Sequence, residues 1–356
     1  MKRTVFLYGI ALLLFLTGCA SQRIYIGGND GIHLAEYKSR SILPWRTWGV
    51  EKIVQEANVS YMAVCEHALY AAHRIAKGVF GVEVFRIRSN GMLKKMDTFV
   101  IPGNQGYCHI SISQDGKYLF GSSYSGGFMD VLTLVPDGGI VALKKRFHFS
   151  GRSIHKRQTK PHPHFAAQTP DGRMVLAADL GCDMIRIFKY DPQEGAVEAG
   201  NAALPPGSGP RHLSFSADGK FVYCANELNN TVTSFKVEKA ALKPVSTCSL
   251  LPSAWSGTSY AGAIKTAPCG TVFVTNRGHN SIAAVASEAD GKLKLENTFS
   301  SEGDFPYDLV FAKKKLFLVN MKSDQFSVWE KEDAWEKKAA FTLRRPMCAV
   351  MPVEKP

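Results

Sequence analysis

The 356-residue chain is 45% hydrophobic and 21% charged, with 31 glycines and 17 prolines. This composition excludes long disorder, a collagen-like repeat and a small disulfide-stapled scaffold, and it supplies a sizeable core. The length fits several domains or one closed all-β architecture. A formal net charge of +12 favours an anionic partner, whether nucleic acid, membrane surface or acidic small molecule.

The first residues have the pattern of a bacterial export signal. Lys2 and Arg3 precede an apolar run over residues 5–16, and residues 16–19 read Leu-Thr-Gly-Cys. This tetrad resembles the lipobox of bacterial lipoproteins, which implies cleavage before Cys19 and lipidation of its thiol. We therefore expect a signal peptide over 1–18, a lipidated N-terminus and linker over 19–22, and anchoring to a membrane of the cell envelope. An uncleaved anchor helix is the alternative.

Seven further cysteines follow Cys19, without a CxxC pair or a zinc-like spacing. Most lie in apolar, strand-like contexts, so we expect small buried side chains and leave open one disulfide among them.

The rest of the chain reads as short β-strands separated by turns. Asp-Gly pairs at 115–116, 171–172 and 218–219 directly precede strand-like runs, which is the strongest local signal for a hairpin. Helical periodicity is confined to residues 50–58 and 330–340, which we predict as two short helices.

The strand pattern repeats seven times. One large residue recurs at intervals of 45, 50, 56, 47, 50 and 44, and these anchor residues are Tyr25, Tyr70, Phe120, Leu176, Tyr223, Phe273 and Phe317. A repeat of roughly 40–50 residues with several strands is typical of a β-propeller blade. We predict an all-β fold, one seven-bladed β-propeller of four-stranded antiparallel blades over residues 23–356. Residues 346–353 would close the ring against residues 23–27, and an open solenoid is the alternative.

The repeat register also predicts which side chains converge. His164 and Arg211 each lie twelve residues before an anchor, and Glu227 and Arg277 each lie four residues after one. A ring of blades brings these four to one mouth of the channel, where two guanidiniums can bind an anion beside a proton-transferring pair. Further candidate substrate contacts near them are His162, Asp179, His212 and His279. The alternative is a set of ion pairs that brace the blade ends.

Six short motifs then occur in order: Arg157-Gln158, Pro161-His162-Pro163-His164, Asp179-Leu180-Gly181-Cys182-Asp183, Gly207-Ser208-Gly209-Pro210-Arg211-His212, Asn226-Glu227-Leu228 and Asn276-Arg277-Gly278-His279. This series resembles that of the seven-bladed propeller lactonases, which include propeller-type 6-phosphogluconolactonases and are related to fungal carboxy-muconate cyclases. The chain departs from the family pattern at Ser123-Tyr124, where Asn-Tyr is common, and at Pro306-Tyr307, where Pro-Arg is common.

The resemblance implies a site formed by His164, Arg211, Glu227 and Arg277. In a lactonase, Glu227 or His164 would be the general base, and the arginines would bind the substrate anion and the oxyanion. A cycloisomerase would use the same groups to move protons to and from carbon. A non-catalytic propeller that binds an anionic ligand or an envelope protein is the third hypothesis.

Other chemistries lack their signatures. No GxSxG, GxGxxG or GxxxxGK[ST] motif occurs, and His162 and His164 have no carboxylate or cysteine at ligand-like spacing. We therefore expect no cofactor, no metal and no nucleic acid partner, and a monomer that acts on a small anionic lactone. The basic segment 144–160 either lies over the mouth, where it attracts that substrate, or faces solvent and anionic lipid.

Overall fold

The computed structural model describes residues 22–39, 46–55 and 57–352. These residues form seven four-stranded antiparallel sheets, each one blade of a ring. Within the described part of the chain, no helix has the length and apolar character needed to cross a membrane. The predicted signal peptide, Cys19 and most of the linker lie outside the described residues.

The strands follow the blades in chain order. The first three strands belong to blade 1 and the next eight to blades 2 and 3: β1 (Gln22–Gly28), β2 (Gly31–Ser39), β3 (Arg46–Gln55); β4 (Val59–Val64), β5 (Ala68–Ala76), β6 (Val79–Ile87), β7 (Leu93–Val100); β8 (His109–Ile112), β9 (Tyr118–Ser123), β10 (Phe128–Leu134), β11 (Ile140–His148).

Blades 4 to 7 and the closing strand follow: β12 (Pro163–Gln168), β13 (Met174–Asp179), β14 (Met184–Asp191), β15 (Gly195–Ala203); β16 (Pro210–Phe215), β17 (Phe221–Asn226), β18 (Thr231–Glu238), β19 (Ala241–Ser249); β20 (Tyr260–Thr266), β21 (Val272–Arg277), β22 (Ser281–Ser287), β23 (Leu293–Ser300); β24 (Pro306–Ala312), β25 (Lys315–Asn320), β26 (Gln325–Lys331), β27 (Trp335–Thr342); β28 (Pro346–Val350).

The two ends of the chain share blade 1. Strand β28 pairs antiparallel with β1, with Tyr25 opposite Val350 and Gly27 opposite Cys348. The inner strand of every blade contacts the inner strand of the next, from β28 through β4, β8, β12, β16, β20 and β24 back to β28. This pairing confirms the predicted closure. A closed ring covers the inner strand edges that an open solenoid would leave exposed.

The seven anchor residues all lie on the second strand of a blade, and all are buried. Second strands pack between neighbouring blades on both faces, so a large apolar side chain at a fixed position fills the same gap in each repeat. In blades 5 and 7 the residue three positions later ends the second strand and is a buried hydrogen-bond donor: Asn226 Nδ2 donates to Thr231 and Thr233, and Asn320 Nδ2 donates to the Ser301 carbonyl.

The two predicted helices are wrong. Residues 50–55 belong to β3, and residues 330–340 span the end of β26 and most of β27. Both regions supply the outermost strand of a blade, where one face is covered and the other faces water. Residues along β27 alternate between half-buried and exposed, which is the period of a strand. The mixture of charged and apolar residues on such a strand imitates an amphipathic helix.

The seven cysteines of the described chain are unpaired. Three are buried and three are half-buried, as expected for small apolar side chains, whereas Cys269 is exposed. Cys269 follows Pro268 in the turn between β20 and β21, where the backbone faces solvent.

Candidate active site

The candidate site lies on the face of the ring where first strands begin and second strands end. Because these two strands are antiparallel, the start of one and the end of the other share a blade edge. His164 and Arg211 therefore enter at the starts of β12 and β16, while Glu227 and Arg277 enter at the ends of β17 and β21. We call this end of the central channel the mouth.

Glu227 is surrounded by three guanidiniums. Its Oε1 accepts a hydrogen bond from Arg157 Nη1 at 2.6 Å, and its Oε2 accepts one from Arg277 Nη2 at 2.6 Å. Arg211 Nε lies 3.1 Å from the same Oε2. Burial opposes ionisation of Glu227, but Arg277, Arg211 and Arg157 outweigh it and hold the pKa of this carboxyl well below its usual range. The carboxylate is thus ionised at neutral pH.

The cluster has spare hydrogen-bond donors. Three buried guanidinium nitrogens have no hydrogen-bond partner among the described residues: Nε and Nη1 of Arg211 and Nε of Arg277. Arg211 Nε is near Glu227 but poorly aligned with it for a hydrogen bond. An unpaired buried donor costs about 1–3 kcal/mol. A ligand that supplies acceptor oxygens at this position would complete their hydrogen bonding. The free N–H groups of the two arginines can donate hydrogen bonds to an oxygen of a carbonyl, a carboxylate or a phosphate.

His164 lies beside this cluster as a neutral imidazole. It is 8% exposed, and its Nδ1 has no hydrogen-bond partner in the described part of the chain. Burial, together with the positive charge of Arg211, lowers the pKa of His164 well below its ordinary value of 6.5. The ring is therefore unprotonated at pH 7. A neutral imidazole next to two buried guanidiniums can accept a proton from a water molecule.

Aromatic rings continue from His164 down the channel. His212 lies 5.2 Å from His164, His109 lies 5.4 Å from His212, and Tyr61 lies 4.4 Å from His109, all between ring centroids. Burial lowers the pKa of His212 and of His109 as well. The structure thus brings the predicted contact His212 into the cluster as the floor beneath His164.

His162 and Asp179 support the mouth from one side. The His162 ring stacks on Tyr124 with centroids 4.2 Å apart, and its backbone N–H donates to Asp179 Oδ1 at 2.8 Å. The other Asp179 oxygen accepts from Arg186, and the side chain has no exposed surface. Asp179 was predicted as a substrate contact, but the structure gives it a place behind β12, where it positions the strand that carries His164.

His279 lies at the rim. Its Nδ1 is 2.6 Å from the Ser281 hydroxyl, and its ring meets the half-exposed Trp255 edge to face at 4.6 Å. The ring of His279 thus contacts Ser281 and Trp255 rather than the side chains around Glu227. Direct contact with a small substrate therefore depends on how far that substrate extends toward blade 6.

Arg157 joins the site although the repeat register does not include it. It lies in the loop of residues 149–162 between β11 and β12, and it reaches Glu227 with one nitrogen and the Tyr124 hydroxyl with another, at 3.1 Å. The neighbouring Gln158 is fully buried and donates to the Leu180 carbonyl and to Asp183. The part of the basic segment around Arg157 therefore lies over the mouth, whereas residues 144–148 belong to the outermost strand β11.

Asp183 joins this loop to the one that precedes Arg211. Besides Gln158, it accepts hydrogen bonds from the backbone N–H groups of Gly207 and Gly209, at 2.7 and 2.6 Å. Gly209 has φ +64°, and a Cβ there would lie 2.4 Å from Leu228. Its carbonyl accepts from the backbone of Glu227 at 2.7 Å. One hydrogen-bonded network therefore positions Arg157, Arg211 and Glu227.

In each of the two residue pairs that contain a departure from the family pattern, Ser123-Tyr124 and Pro306-Tyr307, the tyrosine faces the site. The Tyr307 ring lies 5.3 Å from the Arg211 guanidinium and 5.5 Å from that of Arg277. Tyr124 lies edge to face with His164 at 5.5 Å. Tyr307 adds an aromatic wall where an arginine would add a charge, and its ring face stabilises the two guanidiniums.

The described ranges hold no group of three or more His, Cys, Asp or Glu side chains that could bind a metal ion. The His162 ring stacks on Tyr124 and its Nδ1 lies 2.8 Å from the Tyr124 carbonyl oxygen, whereas His164 packs against His212 and the edge of the Tyr124 ring.

The fold and the mouth together define a seven-bladed β-propeller with a cationic, histidine-containing site at one end of its channel. The family described as "Lactonase, 7-bladed beta-propeller" matches residues 18–340, and the chain belongs to this family. The 6-phosphogluconolactonase of Bacillus subtilis (strain 168) is 30% identical over 302 residues, which is 82% of this chain and 84% of the relative. The predicted family resemblance is confirmed.

Solved structures share the fold over almost the whole chain. The periplasmic gluconolactonase of Pseudomonas aeruginosa has a TM-score of 0.84 at 25% identity, and a protein from Lactobacillus plantarum has a TM-score of 0.85 at 23% identity. In both comparisons 93% of this chain and 99% of the other are covered. The family match and the Bacillus subtilis relative support lactone hydrolysis as the class of activity.

Proposed function

We propose that the mouth hydrolyses a sugar-derived lactone that carries an anionic group, in the manner of a 6-phosphogluconolactonase. The observation that carries this proposal is the set of unpartnered buried donors on Arg211 and Arg277 beside the neutral ring of His164. The names of the Bacillus subtilis relative and of the Pseudomonas aeruginosa structure support it.

In this mechanism the lactone carbonyl oxygen accepts hydrogen bonds from Arg211 and Arg277. His164 removes a proton from a water molecule while the oxygen of that water bonds to the carbonyl carbon. The oxyanion that forms is held by the same donors, which are worth most in a site from which water is excluded. The ring C–O bond then breaks, and the leaving alkoxide takes the proton from His164. The product is the open hydroxy acid.

His164 suits the role of base better than Glu227. Both carboxylate oxygens of Glu227 accept hydrogen bonds from guanidiniums, whereas Nδ1 of His164 has no hydrogen-bond partner among the described residues. The hydrogen bonds of Glu227 to Arg157 and Arg277 instead give it the role of holding the guanidiniums in place.

The test is hydrolysis of a panel of sugar and phosphosugar lactones by the purified mature chain and by His164→Gln. We expect the variant to lose about 10²–10⁴-fold in kcat. The exposed His67 lies in the turn between β4 and β5, away from the mouth, and His67→Gln is the matched control. Equal activity of His164→Gln and wild type would refute the role of His164.

Product mass separates the alternatives. Hydrolysis adds one water to the substrate, whereas a cycloisomerase leaves the mass unchanged. Thermal stabilisation by an anionic lactone or hydroxy acid without turnover would instead favour a binding protein.

We also propose that the chain is exported and anchored in the cell envelope through lipid on Cys19, and acts as a monomer. Residues 16–19 and the preceding apolar run support the export and the lipid anchor. Metabolic labelling with an alkynyl fatty acid should mark the wild type in the membrane fraction and should fail for Cys19→Ser. A labelled Cys19→Ser variant would refute the assignment.

A further inference from the structure

One of the three guanidiniums around Glu227 differs from the others in its access to solvent. The Arg157 side chain is 33% exposed, against 1% for Arg211 and 6% for Arg277. It also comes from a loop, whereas Arg211 lies on the inner strand β16 and Arg277 ends the second strand β21. A substrate that enters the mouth therefore meets the Arg157 guanidinium first.

The charges around Arg157 favour an anion. The loop of residues 149–162 contains four basic residues and no acidic one; the basic residues are Arg152, Lys156, Arg157 and Lys160. A cleft lined by one sign of charge attracts the opposite sign from solution. The loop thus steers an anionic substrate toward the mouth.

The ion pairing in the mouth has a surplus. Three guanidiniums face one carboxylate, and Glu227 Oε2 is held by Arg277 and Arg211 without Arg157. Arg157 can therefore exchange Glu227 Oε1 for another anion without leaving Glu227 buried and unpaired, which would cost several kcal/mol.

We propose that Arg157 is the receptor for the anionic group of the substrate, a phosphate or carboxylate on the lactone, and that Glu227 holds this receptor in the free protein. The inference rests on the proposed lactonase function. When the substrate binds, the Arg157 guanidinium leaves Oε1 for the substrate anion. The freed Oε1 then accepts a hydrogen bond from a substrate hydroxyl. Arg157 is thereby the residue that selects anionic over neutral lactones.

The surroundings of Arg157 allow this exchange as a side-chain movement. Gln158 fixes the loop backbone through its bonds to Leu180 and Asp183, so the loop itself stays in place. Beside Tyr124, which holds the second Arg157 nitrogen, a cavity of about 270 Å³ opens between blades 2 and 3. Its lining includes Tyr124 and the exposed Arg74 but not Arg157 itself, so it offers open space next to the contact between Arg157 and Tyr124.

The test uses two substrates that differ in the anion, 6-phosphoglucono-δ-lactone and glucono-δ-lactone, with the full mature chain. The measured quantity is the ratio of kcat/KM for the two. Loss of a hydrogen bond to a charged group predicts that Arg157→Gln lowers this ratio about 10–100-fold. Arg157→Lys should restore part of it. Arg173→Gln, which removes an exposed guanidinium paired with Asp171 in the turn before β13, is the control.

An equal loss of kcat/KM on both lactones would overturn the proposal, because it would give Arg157 a general positioning role. The proposed lactonase function would still stand. If the wild type hydrolyses neither lactone, the proposed function fails. The role of Arg157 is then tested by the binding of anionic ligands. Inorganic phosphate and 6-phosphogluconate should then raise the Tm of the wild type but not that of Arg157→Gln. Equal shifts in both proteins would overturn the receptor.

Discussion

Replacing Glu227 with glutamine keeps the size of the side chain and removes the negative charge between three guanidiniums. In the native protein the carboxylate oxygens lie 2.6 Å from Arg157, 2.6 Å from Arg277 and 3.1 Å from Arg211. Arg211 and Arg277 are almost completely buried, so they cannot regain hydration when the carboxylate is lost. Removing one partner of a buried ion pair costs about 3–5 kcal/mol.

We therefore expect Glu227→Gln to lower the free energy of unfolding by about 3–5 kcal/mol at pH 7. For a domain above roughly 300 residues this corresponds to a Tm about 5–8 °C lower. Urea unfolding followed by tryptophan fluorescence gives the free energy, and Glu198→Gln at an exposed position is the matched control. Removing one guanidinium as well, in Glu227→Gln/Arg277→Met, should recover part of the loss because it relieves the like-charge repulsion.

The pH dependence gives the same prediction a second test. Because the pKa of Glu227 is lowered in the folded protein, its stabilisation is complete above the ordinary value of 4.5 and is lost as the pH falls below it. The difference in free energy of unfolding between wild type and Glu227→Gln should stay constant from pH 7 to 5 and should become smaller below pH 4.5. A variant within about 0.5 kcal/mol of wild type at pH 7 would refute the reasoning that Glu227 holds the arginines together.

Two further outcomes follow from the channel and from the loop. The pKa values of His109, His164 and His212 are lowered by burial in the folded state, so their contribution to stability is present above pH 6.5 and is lost below it. Urea unfolding should show that the free energy of unfolding falls by up to about 4 kcal/mol per pH unit below pH 6 because of these three groups. A free energy of unfolding that does not change with pH in this range would contradict their burial as neutral rings. Gln158→Ala should lower kcat/KM for a phosphorylated lactone about tenfold and stability by about 1–3 kcal/mol, because it frees the loop over the mouth and leaves buried partners unpaired. Gln114→Ala, at a turn on the opposite face, should lose stability without loss of activity.

The blade count was predictable because the same packing problem recurs seven times. A second strand is covered on both faces, so each repeat needs a large apolar residue at the same position, and Tyr25 and Phe317 at the two ends obey the rule as well as Leu176 in the middle. The outermost strands face water on one side and lack this constraint. That is why residues 50–58 and 330–340 imitated helices.

The register also located four site residues, because strand starts and strand ends meet at one mouth. Tyr124 follows the anchor Phe120 by four residues, as Glu227 and Arg277 follow theirs, so the same register contained a signal for it. Arg157 carried no such signal. It lies in a loop inside the longest interval between anchors, where the distance along the chain does not determine the position in space.

The sequence by itself determined the seven-bladed ring, its closure and the meeting of His164, Arg211, Glu227 and Arg277 at one mouth. Periodic burial encodes all of these, because it places each residue along its own blade. Only the tertiary structure decided the pairing of Glu227 with Arg157, the donors left unpaired on Arg211, and the neutral state of His164. These depend on contacts between chain segments as far apart as the 70 residues between Arg157 and Glu227, and on how completely the surrounding blades exclude water.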